Sequence, residues 1–140
     1  MTPTITGTQG ADVINGTPAA DVIAARAGND QVWGHGGDDV ICGGPGRDTL
    51  QGGDGTDKVK GQQGNDLMDG GVLGCCGPGN TGDDVLNGGQ GKDTLHASDF
   101  GNNTLRGGQV PTSSTVGKAT TRSKAATAQT CSRPSRATTR

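Results

Sequence analysis

Large side chains are nearly missing from this chain. Its 140 residues include no tyrosine, one tryptophan (Trp33) and one phenylalanine (Phe100). A core of ordinary depth is built from such groups and from many aliphatics, so a conventional globular fold is not expected. Glutamate is absent too: all 14 acidic residues are aspartate. Aspartate is the short carboxylate, suited to tight turns where it hydrogen-bonds nearby backbone or reaches a cation. No apolar run approaches the roughly 20 residues of a membrane-spanning helix, so no span is expected. The opening MTPTITGTQG has neither the basic nor the apolar region of an N-terminal secretory signal. Cys42, Cys75, Cys76 and Cys131 show neither zinc spacing nor a clear disulfide framework.

What is abundant is glycine, with 28 copies, and it recurs in phase with aspartate. Asp12, Asp21, Asp30, Asp39, Asp48, Asp57 and Asp66 are spaced nine apart, and the phase resumes at Asp84 and Asp93. Two residues after each stands an aliphatic: Ile14, Ile23, Val32, Ile41, Leu50, Val59, Met68, Leu86 and Leu95. A slip of one residue leads to Asn103 and Leu105. The clearest units read GGPGRDTLQ (43–51), GGDGTDKVK (52–60) and GGQGKDTLH (88–96). Glycines supply positive φ and close backbone approach, so six residues of each unit predict a turn. The last three predict a short strand with its aliphatic inward and its neighbours outward. Stacked units give an all-β flattened coil with one thin aliphatic row inside, and carboxylates stacked one strand spacing apart repel unless a cation lies between them.

These units resemble the RTX, or haemolysin-type, calcium-binding nonapeptide GGxGxDxUx, in which U is a large aliphatic residue. The resemblance spans residues 7–108, with Thr8, Thr17, Ala19 and Ala20 departing from the glycine pattern in the first two units. It implies a right-handed parallel β-roll with two nonapeptides per turn. It also implies calcium as the ligand, held by Asp30, Asp39, Asp48, Asp57, Asp66, Asp84 and Asp93, with Asp12 and Asp21 as weaker members and Asn103 neutral. Backbone carbonyls near Gly34, Gly36, Gly43, Gly46, Gly52, Gly55, Gly61, Gly64, Gly88 and Gly91 would complete each shell, because calcium takes six to eight oxygen ligands. Pairing each unit with the next but one predicts about five to eight ions. The thin core and the stacked charge predict a chain disordered without calcium, for which binding is folding. The family further implies an extracellular setting, export through a type I system whose signal lies at the extreme C-terminus, and a parent with more repeats or a toxin, protease or lipase domain.

Two stretches break the pattern. In GGVLGCCGPGNTGDDVLN (70–87), a strict nonapeptide would put Cys75 in the aspartate column and Gly77 in the aliphatic one. The preferred reading joins Gly70-Gly71 to Thr81-Gly82-Asp83-Asp84 and loops out residues 72–80, since Gly77-Pro78-Gly79 suits a loop. Cys42 is either bridged to Cys75 or Cys76 or unpaired. Residues 109–140 read as a disordered polar tail. Residues 107–140 carry six Lys or Arg and no acid, whereas residues 1–106 carry all 14 Asp against six Lys or Arg. The tail nevertheless keeps the nine-residue period: Thr112, Thr121, Thr130 and Thr139 follow Asn103, and Val110, Ala119, Ala128 and Ala137 follow Gly101. GGC and GAC codons read one base late give alanine and threonine codons, so we read the tail as frameshifted repeats beginning near Gln109. Its basic charge then needs no nucleic-acid partner, and it offers no aromatic stacking platform.

Other function classes fit less well. No HExxH or GxSxG motif is present, so no enzymatic activity is expected. His35 and His96 occupy unlike places in their repeats and are expected to face solvent, while Trp33 and Phe100 cover the roll or its ends. Asp38, Asp54, Asp69, Asp83 and Asp99 lie outside the main column and are expected to be solubilising. An ice-binding or adhesive solenoid needs a regular outward ladder, but Val13, Val22, Gln31, Val40, Thr49, Lys58, Leu67, Val85, Thr94 and Thr104 form a mixed one.

Overall fold

Three residues are too few to form a stable strand alone, so each xUx segment needs a neighbour one full turn away. The computed structural model describes residues 2–71, 82–97 and 101–108, together with the backbone of a strand at 113–116. Twelve strands follow one another: β1 (Ile5–Thr6), β2 (Val13–Asn15), β3 (Val22–Ala24), β4 (Gln31–Gly36), β5 (Val40–Pro45), β6 (Thr49–Asp54), β7 (Lys58–Gln63), β8 (Leu67–Asp69), β9 (Val85–Gln90), β10 (Thr94–Ala97), β11 (Thr104–Arg106) and β12 (Ser113–Val116). Odd strands form one six-stranded sheet and even strands another, and every pairing is parallel. The result is a parallel β-solenoid of about five turns, with no helix among the described residues.

The register expresses the repeat directly. Ile5 lies beside Ile23, Ile23 beside Ile41 and Ile41 beside Val59 in one sheet; Ile14, Val32, Leu50 and Met68 are likewise successive in the other. Each step is two nonapeptides. Val59 is followed by Leu86 and Met68 by Leu95, steps of 27 residues. The stretch 70–87 therefore adds nine residues to one turn without moving later units to the opposite sheet; residues 72–81 themselves lie outside the described part. Leu86 then lies beside Leu105 at 19 residues, which absorbs the slip before Asn103.

The inward aliphatics from Ile14 to Leu105 are all buried and form one core cluster with Ala25. Their outward neighbours are mixed, and Val13 and Leu67 are exposed. One expectation changes. Ser113–Val116 are not irregular but pair in parallel with β10, Thr94 to Ser113 through Ala97 to Val116. The reason is that a parallel ladder asks only for backbone N–H and C=O groups in phase, and the period persists past Asn103. The remainder of the tail lies outside the described residues.

Candidate metal centre

Counting the nonapeptide from its first glycine, the aspartate is position 6. Its backbone N–H donates to the carboxylate of the aspartate one turn further on. Asp12 N–H donates to Asp30 Oδ1, Asp30 to Asp48 and Asp48 to Asp66, at 2.9, 3.0 and 3.0 Å. On the other side Asp21 donates to Asp39, Asp39 to Asp57 and Asp57 to Asp84, at 2.8, 2.9 and 3.0 Å. Asp66 continues to Asp93, and Asp84 to Asn103 Oδ1 at 2.8 Å. Asn103 thus keeps the ladder while ending its charge. Each Oδ1 fixes its carboxylate and leaves Oδ2 directed elsewhere.

At six positions Oδ2 is buried with no hydrogen-bond partner: Asp30, Asp39, Asp48, Asp57, Asp66 and Asp93. One orphaned carboxylate oxygen is costly in a folded protein; a periodic series of them is a candidate ligand position. The surroundings of Asp39 show what the position offers. A Cβ added at Gly34 would collide with Asp39 Oδ2 and with the carbonyl oxygen of Gly52 on the next turn. The carbonyl oxygens of His35 and Gly37 point across the same gap, against Gly53 and Gly55. The pattern repeats: the Gly61 and Gly88 carbonyls face Gly43 and Gly61, and those of Gly46, Gly55 and Gly64 face Gly64, Gly82 and Gly91. Gly36 instead lies in β4, in register with Asp54. The gap between turns is therefore lined by carboxylate and carbonyl oxygens, and position 1 is glycine in these units except that of Asp30, where the buried Ala25 stands.

These residues fit a hard cation such as calcium, which takes carboxylate and carbonyl oxygens. They do not fit a soft or borderline one, since no three His, Cys, Asp or Glu side chains converge among the described residues. His35 Nε2 lies 3.3 Å from Asn15 Oδ1, and Cys42 is a free cysteine. Cys75, Cys76 and Cys131 lie outside the described residues.

Burial raises the carboxyl groups of Asp39, Asp48 and Asp93 above the ordinary 3.8, and pushes Asp57 and Asp66 up to about 6. Asp21 moves the other way, held down first by the Thr17 hydroxyl. A raised carboxyl binds protons more tightly folded than unfolded, so stability falls as pH rises from about 4 to about 6 and then levels. In excess chelator the chain should show more β signal by circular dichroism at pH 5 than at pH 7.5. Identical spectra would mean that protonation of Asp57 and Asp66 does not stabilise the ion-free fold.

Some aspartates expected to be merely solubilising form a second ladder at position 5. Thr56 N–H donates to Asp38 Oδ1 at 2.9 Å and Asn102 N–H to Asp83 Oδ1 at 2.6 Å. Asn29 and Asn65 accept from Arg47 and Lys92 in the same way. Asp69 is buried rather than solvated; its Oδ1 accepts from Gly71 N–H at 3.0 Å, and its strand neighbour is His96. Asp54 is exposed as expected, and Asp99 lies outside the described residues.

Among known families, the model of the RTX calcium-binding nonapeptide repeat matches four times, over residues 6–41, 15–50, 43–72 and 79–105. Comparison with curated proteins and with solved structures finds no match. The matched residues make up more than half of the chain and contain every aspartate of the two ladders, so the chain belongs to the RTX calcium-binding nonapeptide repeat family.

Proposed function

We propose that this chain is a non-catalytic calcium module whose folding is driven by the ion, as part of an extracellular protein. The observation that carries the reading is the row of six buried, unpartnered Oδ2 atoms. Asp39, Asp48, Asp57, Asp66, Asp93 and Asp30 would each give that oxygen to an ion between turns, with Asp84 continuing the row. Position 1 carbonyls of the following turn and position 2 and 4 carbonyls of the same turn would complete the shell.

Without the ion, these gaps bring carboxylates and carbonyl oxygens together with no positive partner. Folding would then have to bury repelling charge around a thin aliphatic core. With it, every turn gains ligands on both sides, and binding energy becomes folding energy. RTX repeat proteins are typically secreted, and extracellular modules commonly bind calcium at about 0.1–1 mM. That range would leave the repeats loose in a cell and ordered outside it.

A far-UV circular dichroism titration of the full chain tests this. Calcium should produce a cooperative coil-to-β transition and shift Trp33 fluorescence, and magnesium at equal concentration should not, because it needs a small octahedral shell and keeps its waters. Full β signal in excess chelator at pH 7.5 would refute calcium-driven folding. No transition by about 10 mM calcium, well above the usual extracellular range, would refute calcium binding by this chain.

A further inference from the structure

Asp12 and Asp21 stand in the same columns as the six aspartates with unpartnered oxygens, yet their carboxylates are already satisfied. Thr8 N–H donates to Asp12 Oδ2 at 2.6 Å, and the Thr8 hydroxyl lies 3.0 Å from the same oxygen and 3.1 Å from Oδ1. Thr17 repeats the arrangement on Asp21 Oδ2, at 2.7 Å from its N–H and 2.8 Å from its hydroxyl. Asp21 Oδ1 would take its rung from the backbone of residue 3, but Pro3 has no N–H. The Thr4 hydroxyl stands there instead, 3.1 Å from Oδ1, and accepts from Val22 N–H at 2.9 Å.

The difference between these two units and six of the later ones lies at position 2. Arg26, His35 and Gln62 hold φ of 79°, 78° and 82° there, and Gly44, Gly53 and Gly89 are positive as well. Non-glycine residues enter that region at a cost, which three units of this array bear. Thr8 and Thr17 are not in it, and their N–H groups turn onto the aspartate four residues later. A donor hydrogen therefore faces the gap where the later units present only oxygen. A cation placed there would have to displace two hydrogen bonds from each carboxylate.

We infer that the first two units form a metal-free end cap. Threonine donors do for Asp12 and Asp21 what calcium does further along, and the calcium rows begin at Asp30 on one side and Asp39 on the other. The cap gives the roll a closed first turn, so the ion-dependent turns stack on one that needs no ion. This rests on the calcium reading of the later aspartates.

The test is the number of ions bound per full-length chain, measured by equilibrium dialysis at saturating calcium. Wild type and the double variant Asp12→Asn/Asp21→Asn should bind the same number, whereas Asp39→Asn should bind about one fewer. Thr8→Gly/Thr17→Gly should bind up to about two more, since glycine takes positive φ freely and releases Oδ2. Loss of ions in Asp12→Asn/Asp21→Asn overturns the cap. If that variant does not fold, an unchanged count in Thr8→Gly/Thr17→Gly overturns it equally. A wild-type chain that binds no calcium, or an Asp39→Asn chain that loses none, defeats the calcium reading itself and the cap with it.

Discussion

Asp57→Ala should unfold the central turns, whereas Asp57→Asn should lose an ion and keep them. The side chain has two separable duties. Its Oδ1 accepts from the buried Asp39 N–H at 2.9 Å, and its Oδ2 is unpartnered and free to hold a cation. Asparagine retains an acceptor oxygen for the ladder but gives up the charge, as Asn103 does naturally under Asp84. Alanine removes both and strands a buried donor, which costs about 1–3 kcal/mol. The ion adds to this: at free calcium ten times its Kd, one site contributes about 1.4 kcal/mol. Asp57→Asn should therefore shift the calcium midpoint upward with the same final β signal, and Asp57→Ala should not reach that signal. Identical titrations for the two variants would show that the ladder bond carries no weight.

Two glycine substitutions should fail for opposite reasons. Gly52 is not in the left-handed region, so alanine there strains no backbone. Its Cβ, however, would meet Asp57 Oδ2 and lie 2.8 Å from Asp57 Cγ, crowding the side of the ion without abolishing the site, since Ala25 holds the same position in the Asp30 unit. Gly52→Ala should thus raise the calcium midpoint, while excess calcium still drives folding. Gly46 has φ of 147°, and a Cβ on it would collide with the Gly28 carbonyl oxygen. Gly46→Ala should stay unfolded locally at any calcium concentration. If Gly52→Ala titrates at the wild-type midpoint, the ion does not sit beside Asp57 Oδ2.

The period made the inward aliphatics and the main aspartate column legible, because one phase ties an inward side chain to a turn carboxylate. Which side of the roll Asp84 occupies was harder, since a nonapeptide and a nine-residue loop are equal in length. The 27-residue step from Val59 to Leu86 shows its side. Thr8 and Thr17 read as departures from glycine, although a threonine four residues before each aspartate was a signal for a side-chain-closed turn. Asp38 and Asp83 are exposed, as expected of solubilising carboxylates, but their ladder is not legible in the sequence because position 5 varies in residue type, and only stacking brings each beneath a backbone N–H. The strand at Ser113–Val116 was missed because its residues look like linker, and backbone pairing does not consult side chains.

The register also decides how this molecule would answer a pull. Every strand bonds only to the turns before and after it, so tension on the C-terminal end loads one turn at a time, like thread drawn from a spool. Each released turn yields 18 residues, or about 60 Å of slack. The turn from Val59 to Leu86 yields 27, or about 90 Å. The chain would thus lengthen in even strides with one longer stride, and refill them in the reverse order when the load is released.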